Sequence, residues 1–297
     1  MGRMRQGWDL TKKSWAILKG NRQLMWFAVL GGLTALLATA ALVGPGFLLL
    51  SDNQTPAGIA LIAIGTYIAT FIGIYFNVGL AAAADKIMRG ESATIRDGLA
   101  VSRTRIGPIA GWALFAVTVN LILNALRNQE GIVGQILGSL IAVAWALATF
   151  LVIPVIALEG SGPVTALKRS AGLFRQKWGQ QVTGIVAIGG LVALFTVLPA
   201  VALGALGIVA LGGGGAAAGG GVALIVIAVV LLIAGAIVSA ALRGIFGVVL
   251  FRFTSGVRAS TIELLELNPL KDAVVEKLAT LAKPNASTRL PRSVGTG

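Results

Sequence analysis

Asn120, Asn124 and Asn128 recur at every fourth residue inside an apolar stretch. That spacing stacks three amides on one face of a helix. Amides so placed can line a polar path, or they can bond to neighbouring helices as interhelical glue. Asn77 lies in a second apolar stretch, and Arg243 is the one cation within an apolar run. An arginine at the centre of a bilayer costs about 2.5–3.5 kcal/mol. Arg243 therefore either meets a pore or a substrate carboxylate, or snorkels to headgroups from a span already complete at Leu242. Asn77, Asn120, Asn124 and Arg243 form a candidate polar seam.

Most other chemistry lacks its parts. The chain has no histidine and no cysteine. The commonest general base, the commonest metal ligand and every thiolate site are thereby removed. Two acids, Asp85 and Glu159, sit at the ends of apolar runs, and no two carboxylates share one run. A carboxylate proton relay across a membrane needs such pairs. The many glycines include no GxxxxGK[ST] phosphate loop. No catalytic residue, metal or cofactor is expected.

The elements that carry these residues are membrane spans. Hydrophobic residues make up 56% of the chain and charged ones 12%, about half the charge of a soluble domain. Residues 182–242 hold no charge over 61 positions. As one helix they would reach roughly 90 Å, about three hydrocarbon thicknesses, so the chain must fold back. Six spans are expected, at about 24–50, 56–83, 108–126, 132–158, 182–211 and 222–250. Three connections on one side are polar or glycine-rich: SDNQTP, RNQE and GGGGAAAGGG. The last is read as a turn, because glycine disfavours helix by about 1 kcal/mol per residue. Pro56 suits a first helical turn, and Pro154 and Pro199 should disturb the fourth and fifth spans.

The other side collects the charge. Twenty-two of the 24 lysines and arginines fall in residues 1–23, 84–106, 159–181 and the tail from Arg252. The positive-inside rule places that side, and both termini, in the cytoplasm. The expected location is a bacterial cytoplasmic (inner) membrane, crossed by a multi-pass chain. Residues 24–37 followed by ATA imitate a signal peptide, but the apolar run continues to Leu50, so an uncleaved helix is expected.

Three basic stretches precede outward-going spans. In ALKRSAGLFRQKWG, residues 166–179, Leu167, Ala171, Phe174 and Trp178 fall on one helical face with Val164 just upstream. Trp8, Thr11, Trp15 and Leu18 repeat the spacing, as do Ile95, Leu99, Ser102 and Ile106. A basic residue follows a stripe position in each: Lys19, Arg103 and Arg175. Such helices can lie in the interface, with apolar stripes in the acyl boundary and cations on phosphates. Lys12, Lys13, Trp15, Arg103, Arg105, Lys168, Arg169, Arg175 and Trp178 are the candidate headgroup contacts. The recurrence outlines a threefold unit, an interfacial helix followed by a two-span hairpin.

GPVTALKRSAGLFRQKWG and TIRDGLAVSRTRIGPIAGW, with the Phe251-Arg252-Phe253 triplet after the last span, carry a resemblance. The chain resembles uncharacterised bacterial and archaeal six-span membrane proteins. These look distantly similar to the membrane domain fused to some glycerophosphodiester phosphodiesterases. The resemblance implies six spans and no hydrolase activity, since the phosphodiesterase domain is absent.

The organisation read from these features has three parts. Residues 1–23 form an interfacial segment, 24–251 a six-span domain, and 252–297 a tail with a helix near 269–282, capped by Asn268, and a disordered end. The fold class is an all-α polytopic membrane bundle. The leading functional expectation is a non-enzymatic membrane factor that organises lipid or a partner through a basic cytoplasmic face. A transporter or channel for a small solute or lipid is the alternative, and an enzyme ranks last. Expected partners are anionic lipid headgroups, with a second copy or another membrane protein as further candidates, and no nucleic acid.

Overall fold

The structure, a computed structural model, describes residues 2–51, 54–127 and 132–255, with side chains for all of these but 2–7, 132–133, 176–185 and 215–217. The tail helix expected near 269–282 and the end beyond it, Asn128, Glu130 and the Trp178 side chain lie outside the described residues. Among the described residues the chain is all helix: α1 (Gly2–Gly20), a 3-10 turn (Arg22–Leu24), α2 (Met25–Ser51), α3 (Thr55–Met88), α4 (Ile95–Thr104), α5 (Ile106–Arg127), α6 (Ile132–Thr149), α7 (Val152–Glu159), α8 (Pro163–Val192), a π turn (Ala193–Val197), α9 (Leu198–Leu211) and α10 (Gly215–Thr254). Six stretches are long and apolar enough to cross a membrane: Arg22–Ser51, Thr55–Met88, Ile106–Arg127, Gly134–Glu159, Val186–Leu211 and Ala218–Thr254. The chain is a multi-pass, all-α membrane bundle.

Both prolines disturb their spans as anticipated. Pro154 has no N–H to bond the Phe150 carbonyl, and the fourth span breaks at Phe150–Leu151 into α6 and α7. Ser170 of α8 repairs the break: its Oγ donates to the Ala148 carbonyl and accepts from the Leu151 N–H at 3.1 Å. Before Pro199 the fifth span relaxes into the π turn.

Two expectations about element ends are corrected. The glycine-rich connection turns only at Gly212–Gly214, with Gly214 at φ +67°, and Gly215 already begins α10. Close packing explains Gly221, though not Gly219 and Gly220, which face open space: a Cβ on Gly221 would lie 2.6 Å from the Gly207 carbonyl oxygen, and one on Gly207 2.8 Å from that of Gly221. Glycine's cost is accepted where two backbones touch. The first hairpin uses the same device, where a Cβ on Gly58 would lie 2.8 Å from the Gly46 carbonyl oxygen. Second, the basic stretch 166–179 is not a separate helix; α8 runs without interruption from Pro163 into the fifth span.

The buried core gathers at one end. Val78, Leu80, Ala81 and Ala84 of α3, Val152, Val155 and Ile156 of α7, and Ile245, Phe246 and Leu250 of α10 are all buried. These are the last turns of the second, fourth and sixth spans, and α3, α7 and α10 touch one another there. Toward the other end large apolar side chains stand free of protein, as with Leu48 at 69% exposure and Val209 at 76%. On a soluble protein such a surface would be a liability. In a bilayer, acyl chains cover it.

Candidate functional site

The packed end is also the charged end. Among residues with described side chains, Arg127 is the one cation at the opposite end, Arg243 lies between, and every other lysine and arginine belongs to the packed end. Four acids there hold bases in place. Asp85, buried in the last turn of α3, accepts from Arg252 Nε at 2.6 Å and lies 3.7 Å from Arg89 Nε, so the ends of the second and sixth spans are tied. Glu91 pairs with Arg89 at 3.3 Å and Glu159 with Arg169 at 3.1 Å.

Asp97 completes a capping box on α4. Its backbone N–H donates to Thr94 Oγ1 at 3.2 Å, while its carboxylate accepts from the Thr94 N–H at 2.8 Å and the Thr94 hydroxyl at 2.9 Å. Lys86 Nζ approaches the same oxygen at 3.3 Å. The Thr94 backbone N–H, then its hydroxyl, then Lys86 hold the Asp97 carboxyl below its ordinary value.

The three basic stretches bury part of the expected stripes together with residues beside them. In α1, Leu10, Thr11, Ser14 and Leu18 are buried, while Trp8 and Trp15 are 40% and 51% exposed. In α4 the buried residues are Gly98 and Ser102, and Ile106 beyond it is exposed. In α8 they are Ala166, Ser170 and Leu173, with Val164 exposed. Close helix contact favours small residues, and Gly98, Ser102, Ala166 and Ser170 share the buried line with Leu10, Leu18 and Leu173. A Cβ on Gly98 would collide with the Gly79 carbonyl oxygen.

A shared register links Ser102, already a stripe position, with Ser14 and Ser170, which the stripes leave out. Ser14, Ser102 and Ser170 each fall three residues after a stripe position (Thr11, Leu99, Leu167) and four before another (Leu18, Ile106, Phe174). Ser102 Oγ donates to the Tyr75 carbonyl of α3 at 2.8 Å, and Ser170 bridges the α6–α7 break. Ser14 Oγ donates to the Leu10 carbonyl at 2.9 Å. The contacts recur in the same sense: α4 on α3, α8 on α7, and α1 on α10.

The candidate headgroup residues are placed as follows. Lys12, Lys13, Arg103, Lys168 and Arg175 are exposed, and none has an ion-pair partner among the described residues. Lys12 Nζ lies 5.8 Å from the centre of the Trp8 ring. Arg169 is exposed but held by Glu159. Arg105 is half-buried, its Nε enclosed without a hydrogen-bond partner among the described residues, and its guanidinium packs on Gly160, which ends α7 at φ +67°.

The four seam residues are not brought together. Asn77 donates to the Gly73 carbonyl on its own helix at 2.8 Å, and its Oδ1 lies 3.9 Å from a Cβ placed on Gly244, beside Arg243. Both stand about 12–14 Å by helix rise from the Asp85–Arg252 pair. Asn124 belongs to the opposite end, where Asn124, Arg127, Gln135 and Ser139 line a polar niche of about 380 Å³. Asn120, one turn inward, is exposed. Arg243 is exposed as well, and α10 continues past it to Thr254 rather than ending at Leu242.

Among the described residues no group of acids, histidines or cysteines could hold a metal ion. No curated protein and no solved structure matches the chain. Residues 57–261, more than half of the chain and nearly all of its second to sixth spans, match the family of unknown function DUF6159, and the chain belongs to that family.

Proposed function

We propose that this chain is a non-enzymatic factor of a bacterial cytoplasmic membrane that organises anionic lipid through its basic end. In this reading the basic end and both termini face the cytoplasm. One observation supports it above the others: the end that holds the packed core also presents Arg103, Lys168 and Arg175, exposed and unneutralised among the described residues. Each basic residue near an anionic surface contributes about 1 kcal/mol of attraction. The amphipathic stretches bring their cations to headgroup level and keep small residues for helix contact. Likeness to the membrane domain fused to glycerophosphodiester phosphodiesterases belongs to this reading too, as a scaffold at a lipid surface.

Transport needs a continuous polar path near the midplane. The seam residues instead occupy two levels, and this ranks transport second.

The test is lipid retained on purification. Arg103→Glu, Lys168→Glu and Arg175→Glu together leave the five described ion pairs intact. The wild-type chain should carry phosphatidylglycerol in several-fold excess over its share of the surrounding membrane, and the triple variant should lose that excess. Equal enrichment in both would overturn the reading.

A further inference from the structure

Between α1 on one side and α8, the π turn and α10 on the other runs an apolar groove of about 620 Å³. That volume lies within the usual range for small-molecule sites. Its long walls are Ile188, Leu191 and Phe195 facing Ala234 and Val238, and α1 contributes Trp8, Lys12 and Trp15. From Leu231 to Leu242 the α10 wall covers twelve residues, about 17 Å of helix rise. Half of a ~30 Å hydrocarbon core is about the same length. The groove therefore matches the depth of one leaflet.

Its floor is fixed by the irregular fifth span. The π turn directs Phe195 and Thr196 into the groove, and Thr196 packs so tightly on α10 that a Cβ on Gly235 would collide with its side chain. The α1 edge is of a different character. Trp8 and Trp15 are exposed there although the adjoining line of α1, Leu10, Thr11, Ser14 and Leu18, is buried. Lys12 stands between them one turn from each, with Lys13 adjacent, and its ammonium lies near the Trp8 ring. Indoles favour the level where headgroups meet acyl chains. An ammonium at that level, without a carboxylate partner among the described residues, calls for an anion.

We propose that this groove holds the acyl chains of one anionic phospholipid from the leaflet at the basic end, with its phosphate on Lys12. The proposal rests on the functional reading above and assigns that reading a single specific site. Acyl chains suit the apolar walls, the leaflet-length run fixes their orientation, and the cation selects the headgroup.

Native mass spectrometry of the full chain, with phosphatidylglycerol or phosphatidylcholine added in detergent, tests it. The wild type should retain one phosphatidylglycerol in preference to phosphatidylcholine. Ala234→Trp, at an exposed position in one wall, should reduce that single occupancy at least tenfold, and Leu191→Trp should do the same from the facing wall. Lys12→Gln should weaken phosphatidylglycerol about fivefold and leave phosphatidylcholine unchanged. A thermal unfolding midpoint close to wild type shows which filling variant is folded, and either one alone decides the matter. Retention by a folded filled variant as in the wild type overturns the groove. If the Arg103, Lys168 and Arg175 reversals still strip lipid from that protein, the wider reading survives the loss. Absence of any anionic preference in the wild type overturns both. A dimer mass that Ala234→Trp converts to monomer would assign the groove to a second copy and also overturn the lipid.

Discussion

Asp85 is buried at the basic end of α3, and Arg252 reaches it from the far end of the domain in sequence. The two residues are 167 positions apart, so no local pattern could pair them. What the sequence did offer was an acid closing a run of alanines, which reads only as a span end. Removing one partner of an enclosed ion pair costs more than the pair contributes, because the other charge is stranded. Asp85→Asn and Arg252→Gln should each cost about 2 kcal/mol, discounted because Arg252 retains some exposure. The double variant should cost little more than either single one, as read by unfolding midpoints in detergent; additive losses would mean the contact carries no energy. Asp97 permits a test by pH. Its carboxyl is held below the ordinary value, so its contribution is full above the unfolded pKa near 3.9 and lost as pH falls through the lower folded value. Wild type should be more stable than Asp97→Asn at neutral pH, and the two should converge in acid. A gap that does not narrow at all as the pH is lowered below about 4 would contradict the capping role.

At the scale of helices, each irregularity has a chemical cause and a repair. Ser170→Ala should leave the Leu151 N–H without its partner at the α6–α7 break, at about 1–3 kcal/mol. Ser170→Thr keeps the hydroxyl and should recover part of the loss in thermal unfolding. The glycine contacts make a paired prediction. Gly221→Leu should disrupt the third hairpin, because its Cβ meets the Gly207 carbonyl, whereas Gly219→Leu, with open space around it, should be tolerated. Proteolysis of the Gly212–Gly214 turn in detergent would distinguish the two. The prolines were legible because a missing N–H acts locally. The helical glycines were not, since propensity is a property of one chain segment and the compensating backbone contact comes from another. The same asymmetry explains the stripes. Period and hydrophobicity identify large apolar faces, while the close contacts use Gly98, Ser102, Ala166 and Ser170, which hydropathy scarcely registers.

For the whole molecule, six spans were legible because bilayer thickness imposes a minimum apolar length on each of them. Sidedness remains a prediction, and the cysteine-free chain makes it clean to test. Gly213→Cys in the turn between α9 and α10 should react with an impermeant maleimide on intact cells, and Ser92→Cys between α3 and α4 only after permeabilisation. The opposite result would invert the topology. The location of the core could not be read from hydropathy, which is as high in exposed stretches as in buried ones. Where the core lies bears on how the protein is made. The first hairpin has its own glycine contact and can form as soon as its second strand of sequence is inserted. The fastening at the basic end must wait, because Arg252 lies two residues from the end of α10. The first two hairpins already meet through α3, α5 and α7 and can associate during synthesis, but the tie to the sixth span forms only when the ribosome has delivered it. A nascent chain released before residue 252 would keep those contacts yet leave Asp85 without Arg252, a span end open to membrane quality control.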